Sequence, residues 1–120
     1  MEIQFQQQAW VWGCNTYGLF GLLFHVPNEV ERLPGETTAS HMRRISKLKS
    51  LGLTPGVPDL VLVWNGKVYG FELKDGAKGR VSEAQEKLHE KWRLQGAIVQ
   101  VCRTLDEFKK MLKEIVQHLD

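Results

Sequence analysis

The feature that most constrains this chain is the dipeptide Asn65-Gly66 between two apolar, β-rich runs, Leu60–Trp64 and Lys67–Leu73. Two residues of this type favour the positive φ angles of a tight β-hairpin turn, and a two-residue turn fixes the pairing register of both strands. Trp64 then faces Lys67 and Val63 faces Val68. Continuing the count brings Asp59 opposite Glu72. Cross-strand partners share a sheet face with Cβ atoms about 5 Å apart. Strand side chains alternate, so Lys74 projects on the same face as Glu72, while Phe71 and Leu73 go to the other. A bulge near Gly70 or Pro58 would shift this register.

Like charges placed opposite one another destabilise a hairpin. Two arrangements offset the repulsion between Asp59 and Glu72. In one, Lys74 or Arg80 neutralises the pair at a solvated strand end. In the other, a hard divalent cation bridges the carboxylates, as Mg²⁺ is commonly held by one or two carboxylates with water and phosphate. Parity along the strands leaves both open.

Around the hairpin the chain alternates helical and extended patterns. Residues 2–12 read as a helix with Glu2, Phe5, Gln6 and Ala9 on one face, and Gly13 and Asn15 able to end it. Residues 19–26 read as a buried strand, and residues 29–36, with Pro34-Gly35, as a loop. Helical periodicity returns over 38–51, with Met42, Ile45 and Leu48 on one face and Arg43, Arg44 and Lys47 on the others. Past the hairpin, 75–80 is a glycine- and charge-rich loop, and Ser82 is an N-cap for a helix ending at Gln95-Gly96. A short strand over 97–102 follows. Thr104 caps a last helix whose Leu105, Phe108, Leu112, Ile115 and Leu119 form a core stripe. The order helix, strand, helix, hairpin, helix, strand, helix predicts one α/β domain over residues 1–120, a mixed sheet flanked by helices.

At 120 residues there is room for a single core. The net charge of +2 is too small to argue for nucleic acid from composition, so any basic surface is local. Cys14 and Cys102 have no metal-ligand spacing and no disulfide framework around them. His25, His41, His89 and His118 show no ligand spacing either, and none is read as catalytic. Trp10, Trp12, Trp64 and Trp92 are read as core residues before base-stacking ones. No apolar run approaches the roughly 18 residues of a membrane span, and residues 1–12 lack the pattern of a signal peptide. A cytoplasmic protein is expected.

Gly56-Val57-Pro58-Asp59, the hairpin, Phe71-Glu72-Leu73-Lys74 and the later Ser82-Glu83-Ala84-Gln85 together resemble the signature of PD-(D/E)XK nucleases, and in particular the VRR-NUC branch. The resemblance covers residues 51–108 well and the first fifty loosely. It implies a restriction-endonuclease-like fold and a Mg²⁺- or Mn²⁺-dependent DNA endonuclease, with no nucleotide cofactor. Asp59 and Glu72 would be metal ligands, with the backbone carbonyl of Leu73 as a further oxygen donor. Lys74 would act on the attacking water and the phosphate. The family's first-helix glutamate is assigned to Glu2, with Glu29 as competitor, and its helix glutamine to Gln85. Arg43, Arg44, Lys47, Lys78 and Arg80 are candidates to hold phosphates. Likeness to small standalone members implies a homodimer acting on branched DNA such as four-way junctions. The aromatic run Trp10, Trp12, Tyr17 and Phe20 is placed either in the core or at that interface. A catalytically silent DNA-binding module and a structural subunit of a phage or repair assembly are the alternatives.

Overall fold

The computed structural model describes residues 2–77 and 79–117, without the side chain of Glu2. The elements run α1 (Glu2–Tyr17), β1 (Leu23–His25), α2 (Thr38–Ser50), β2 (Leu60–Trp64), β3 (Lys67–Leu73), α3 (Glu83–Leu94), β4 (Ile98–Cys102) and α4 (Leu105–Gln117). The element order read from the sequence is the one observed. One sheet has the order β1-β2-β3-β4, with β1 and β2 antiparallel to their neighbours and β3 parallel to β4. The mixed direction follows from the connections: the Asn65-Gly66 turn makes β2 and β3 antiparallel, whereas α3 is the crossover that returns β4 parallel to β3.

Asn65 and Gly66 have φ of 49° and 77°, as the tight hairpin turn requires. Trp64 pairs with Lys67, Val61 with Gly70 and Leu60 with Phe71, so no bulge shifts the register. Leu60, Leu62, Tyr69, Phe71 and Leu73 form the core face with Leu23 and Cys102. Phe5 and Ala9 of α1 and Phe108 and Leu112 of α4 close over it, and Phe71 meets Phe108 edge to face with centroids 5.1 Å apart. The other face of β3 is covered by α3 and by the buried Pro58.

Two sequence expectations change. The first helix runs through Gly13 and Asn15 to Tyr17. Gly13 is there for close approach: a Cβ would lie 2.8 Å from Leu23 Cδ2 and 2.9 Å from Leu112 Cδ2. The helix stops instead at Gly18, whose φ of 65° and bond to the Cys14 carbonyl close the last turn. The strand expected over 19–26 shortens to Leu23–His25, because Gly21 turns the chain and the amides of Leu22 and Leu23 both bond the Leu19 carbonyl. No residue of α2 is buried, and Met42 is 59 % exposed. Its apolar stripe is not a core stripe. The helix extends a molecule measuring 51 × 29 × 29 Å.

Of the aromatic run, Trp10, Trp12 and Tyr17 pack against the core while Phe20 is 80 % exposed. Leu105 and Ile115 extend the α4 stripe, with Leu119 and His118 outside the described residues.

Gly70 fixes the path of the chain into Asp59. A Cβ there would stand 2.6 Å from Pro58 Cγ, and a proline ring cannot swing aside. Gly70→Ala is expected to lower stability by about 1–3 kcal/mol, the usual cost of overpacking. Denaturant unfolding measures it, and a variant as stable as the parent would show that the Pro58 contact does not hold the hairpin end.

Candidate active site at the hairpin end

The two strands of the hairpin stop pairing at Leu60 and Phe71, one step before Asp59 and Glu72. Asp59 turns its carboxylate across the gap: Oδ2 accepts the Leu73 amide at 2.8 Å, and Oδ1 lies 3.5 Å from Asn28 Nδ2. The chain around it is tied down by backbone groups. The Asp59 carbonyl receives the Val26 amide at 3.3 Å and lies 2.7 Å from His25 Nδ1, while Asn28 Nδ2 donates to the Val57 carbonyl at 2.7 Å.

Glu72 is 2 % exposed, in a position where an ionised carboxylate must be hydrogen-bonded or paired. Gln85 Nε2 donates to its Oε2 at 3.3 Å, His89 Nε2 lies 3.2 Å from Oε1, and Lys74 Nζ stands 3.7 Å from Oε2. Gln85 is the third residue of α3 and also closes its capping box with Ser82, so the helix start and the site share one side chain. The repulsion expected between the carboxylates is met here by separate sets of donors, with Lys74 rather than Arg80 supplying the positive charge beside Glu72.

Asp59 and Leu73 open onto a cleft of about 260 Å³ whose other walls are Ile3, Gln6, His25, Pro27, Asn28, Glu29 and Glu31. Glu29 therefore stands in the same cleft as Asp59. Ile3 and Gln6 bring the first turns of α1 to it, but the Glu2 side chain lies outside the described residues. Among the described residues no group of three or more Asp, Glu, His or Cys side chains is clustered closely enough to hold a metal ion. Asp59 and Glu72 are oxygen donors of the kind a hard divalent cation takes and stand at adjoining strand ends, Asp59 lining the cleft and Glu72 buried behind it.

His89 carries no ligand spacing in the sequence, yet in the structure it meets Glu72. Its side chain is 1 % exposed. Burial holds its pKa below the usual histidine range and Arg93 pushes the same way, while Glu86, Asp59 and the Gly56 carbonyl favour the proton. The available signal was its place four residues after Gln85, one helical turn along the same face.

The candidate phosphate contacts are scattered. Arg43, Lys47 and Arg80 are exposed, and Lys78 lies outside the described residues. Arg44 is engaged internally: its Nε and Nη2 bond the two oxygens of Glu36 at 2.7 and 2.8 Å, and Nη2 also reaches the Glu31 carbonyl. It anchors the 29–37 loop to α2. The 75–80 loop is held from behind by Arg103, which donates to the Gly76 and Gly79 carbonyls.

A four-stranded mixed sheet flanked by helices, with two carboxylates and a lysine at the end of its hairpin, defines an α/β protein of the VRR_NUC fold. A solved structure named "VRR_NUC domain protein" superposes with a TM-score of 0.74 at 18 % identity, over 97 % of this chain and 88 % of that one. A second, named "VRR_NUC domain", gives 0.53 at 17 % identity over 91 % and 95 %. No family model matches the sequence, and no curated protein matches it. At this identity the likeness is one of fold.

Arg44 holds the Glu36 carboxyl down at about 2, assisted by the Leu33 amide and Ser40. A lowered folded-state value means that the contact stabilises the loop at every pH above the ordinary 4.5 and is lost as the pH falls through about 2. A carboxyl-carbon NMR titration should show a Glu36 midpoint near the lower value. A midpoint at the ordinary value would mean that the Arg44 bridge does not persist in solution.

Proposed function

We propose that this chain is a nuclease of the VRR-NUC family that hydrolyses DNA phosphodiester bonds with the help of Mg²⁺ or Mn²⁺. The observation that carries the reading is the hairpin end itself: Asp59 beside the Leu73 amide, and Glu72 beside Lys74 and Gln85. These are the positions that the sequence signature assigns, on a fold shared with proteins named for that domain.

In this reading Asp59, Glu72 and the Leu73 carbonyl hold the cation. When bound it would supply Lewis acidity and positive charge to a scissile phosphate. The chain's own groups do the rest. Lys74, 12 % exposed and 3.7 Å from Glu72, orients the attacking water and adds charge against the phosphate. Gln85 fixes Glu72, and Asn28 steadies Asp59 through the 57–59 backbone. Glu2 at the start of α1 is the proposed third carboxylate, with Glu29, which lines the Asp59 cleft together with Glu31, as its competitor. Arg43, Lys47, Lys78 and Arg80 supply phosphate contacts outside the cleft.

The active form is proposed to be a homodimer acting on branched DNA. The exposed Phe20, Leu22 and Phe24 near the sheet edge and the uncovered α2 offer apolar surface for a second copy. Light scattering checks the pairing, where a mass near 13.8 kDa would exclude a stable dimer.

Asp59→Asn and Glu72→Gln are each expected to reduce cleavage of plasmid and junction DNA to background while the protein remains folded. Lys74→Ala should lose turnover but retain cation binding by calorimetry. Glu29→Gln and Glu2→Gln, compared side by side, identify the third carboxylate as the one whose loss lowers kcat further. Near-parental cleavage by Asp59→Asn or Glu72→Gln would remove the site, and a parent protein inert on both substrates with Mn²⁺ would favour a silent binding module.

A further inference from the structure

A ligand carboxylate must be held in one orientation before the cation arrives, because a freely turning side chain loses rotamer entropy on binding. Glu72 lies on β3, but the groups that hold its carboxylate come from another element. Gln85 and His89 are four residues apart on α3 and so project from successive turns on one face. Gln85 Nε2 meets Oε2 and His89 Nε2 meets Oε1, giving one helix donor to each oxygen. His89 is not among the residues lining the Asp59 cleft, and with 1 % of its side chain exposed it is out of reach of a substrate. A fully buried imidazole is a costly choice where a leucine would fill the space.

We propose that His89 is a positioning residue, whose Nε2–H fixes Oε1 of Glu72 so that the carboxylate is preset for ligation. This rests on Glu72 being a cation ligand, as proposed above. An ionised carboxylate only accepts hydrogen bonds, so the 3.2 Å contact requires the proton on Nε2. Gln85 meets Oε2, the oxygen that Lys74 Nζ also approaches at 3.7 Å. Adding His89 holds both oxygens.

The test compares Mn²⁺ binding by calorimetry, without DNA, in the full-length parent, His89→Leu and His89→Gln. Leucine fills the site but offers no donor, whereas glutamine places an amide N–H near the position of Nε2. His89→Leu is expected to bind Mn²⁺ about 10–100-fold more weakly, the usual loss when a hydrogen-bond partner of a metal ligand is removed. His89→Gln should recover most of that loss, and a merely space-filling role would not distinguish the two by affinity. A folded His89→Leu that binds Mn²⁺ like the parent overturns the proposal and leaves the nuclease reading standing. A parent that binds no Mn²⁺ overturns the ligand assignment and this proposal with it. If His89→Leu does not fold, nitrogen NMR of the parent's ring decides: a protonated Nε2 supports the contact, and an unprotonated one overturns it.

Discussion

The tight turn at Asn65-Gly66 is the constraint from which the candidate site follows. With φ positive at both residues, the turn admits one register, and that register carries Asp59 and Glu72 to the same end of the sheet. Proximity of two carboxylates is unfavourable, and the structure meets it by giving each its own donors. Asp59 reaches across to the Leu73 amide, while Glu72 turns toward α3 and Lys74. The hairpin places the charges and the helix makes their placement tolerable. Pro58 packed on Gly70 fixes the point where the first strand enters.

The turn and the strand register were legible in the sequence, because turn chemistry and side-chain parity act over a few residues, whereas the donors to Asp59 and Glu72 were not. The Ser82 cap, the Gly96 stop and the Thr104 start are local signals in the same way, and each stands where it was read. The differences arise where a distant partner decides. Gly13 reads as a helix breaker, yet the closeness of Leu23 and Leu112 makes a glycine the residue that fits inside the helix. The stripe of Met42, Ile45 and Leu48 has helical spacing, but spacing does not say whether another element covers it. His89 carried no motif. Its meaning depends on α3 lying across β3 at the height of Glu72.

The same distinction separates the site from the arm. α2 and the 29–37 loop are joined by the Glu36–Arg44 bridge, with Ser40 and the Thr37 cap completing the contact. This unit buries no side chain of α2 in the core. It holds Arg43 and Lys47 on an exposed helix, while the same loop carries Glu29 back to the cleft beside Asp59. One segment thus links two exposed basic side chains, Arg43 and Lys47, to the cleft that Asp59 lines.

The proposed function requires a divalent cation at the end of this hairpin. Adding Mn²⁺ to the uniformly labelled protein tests it directly, since the unpaired electrons broaden amide signals near the ion. Selective loss of the signals of residues 59 and 72–74 is expected at substoichiometric Mn²⁺, with the Asn65-Gly66 turn at the other end of the same strands unaffected. Broadening centred elsewhere, or none at all, would contradict it.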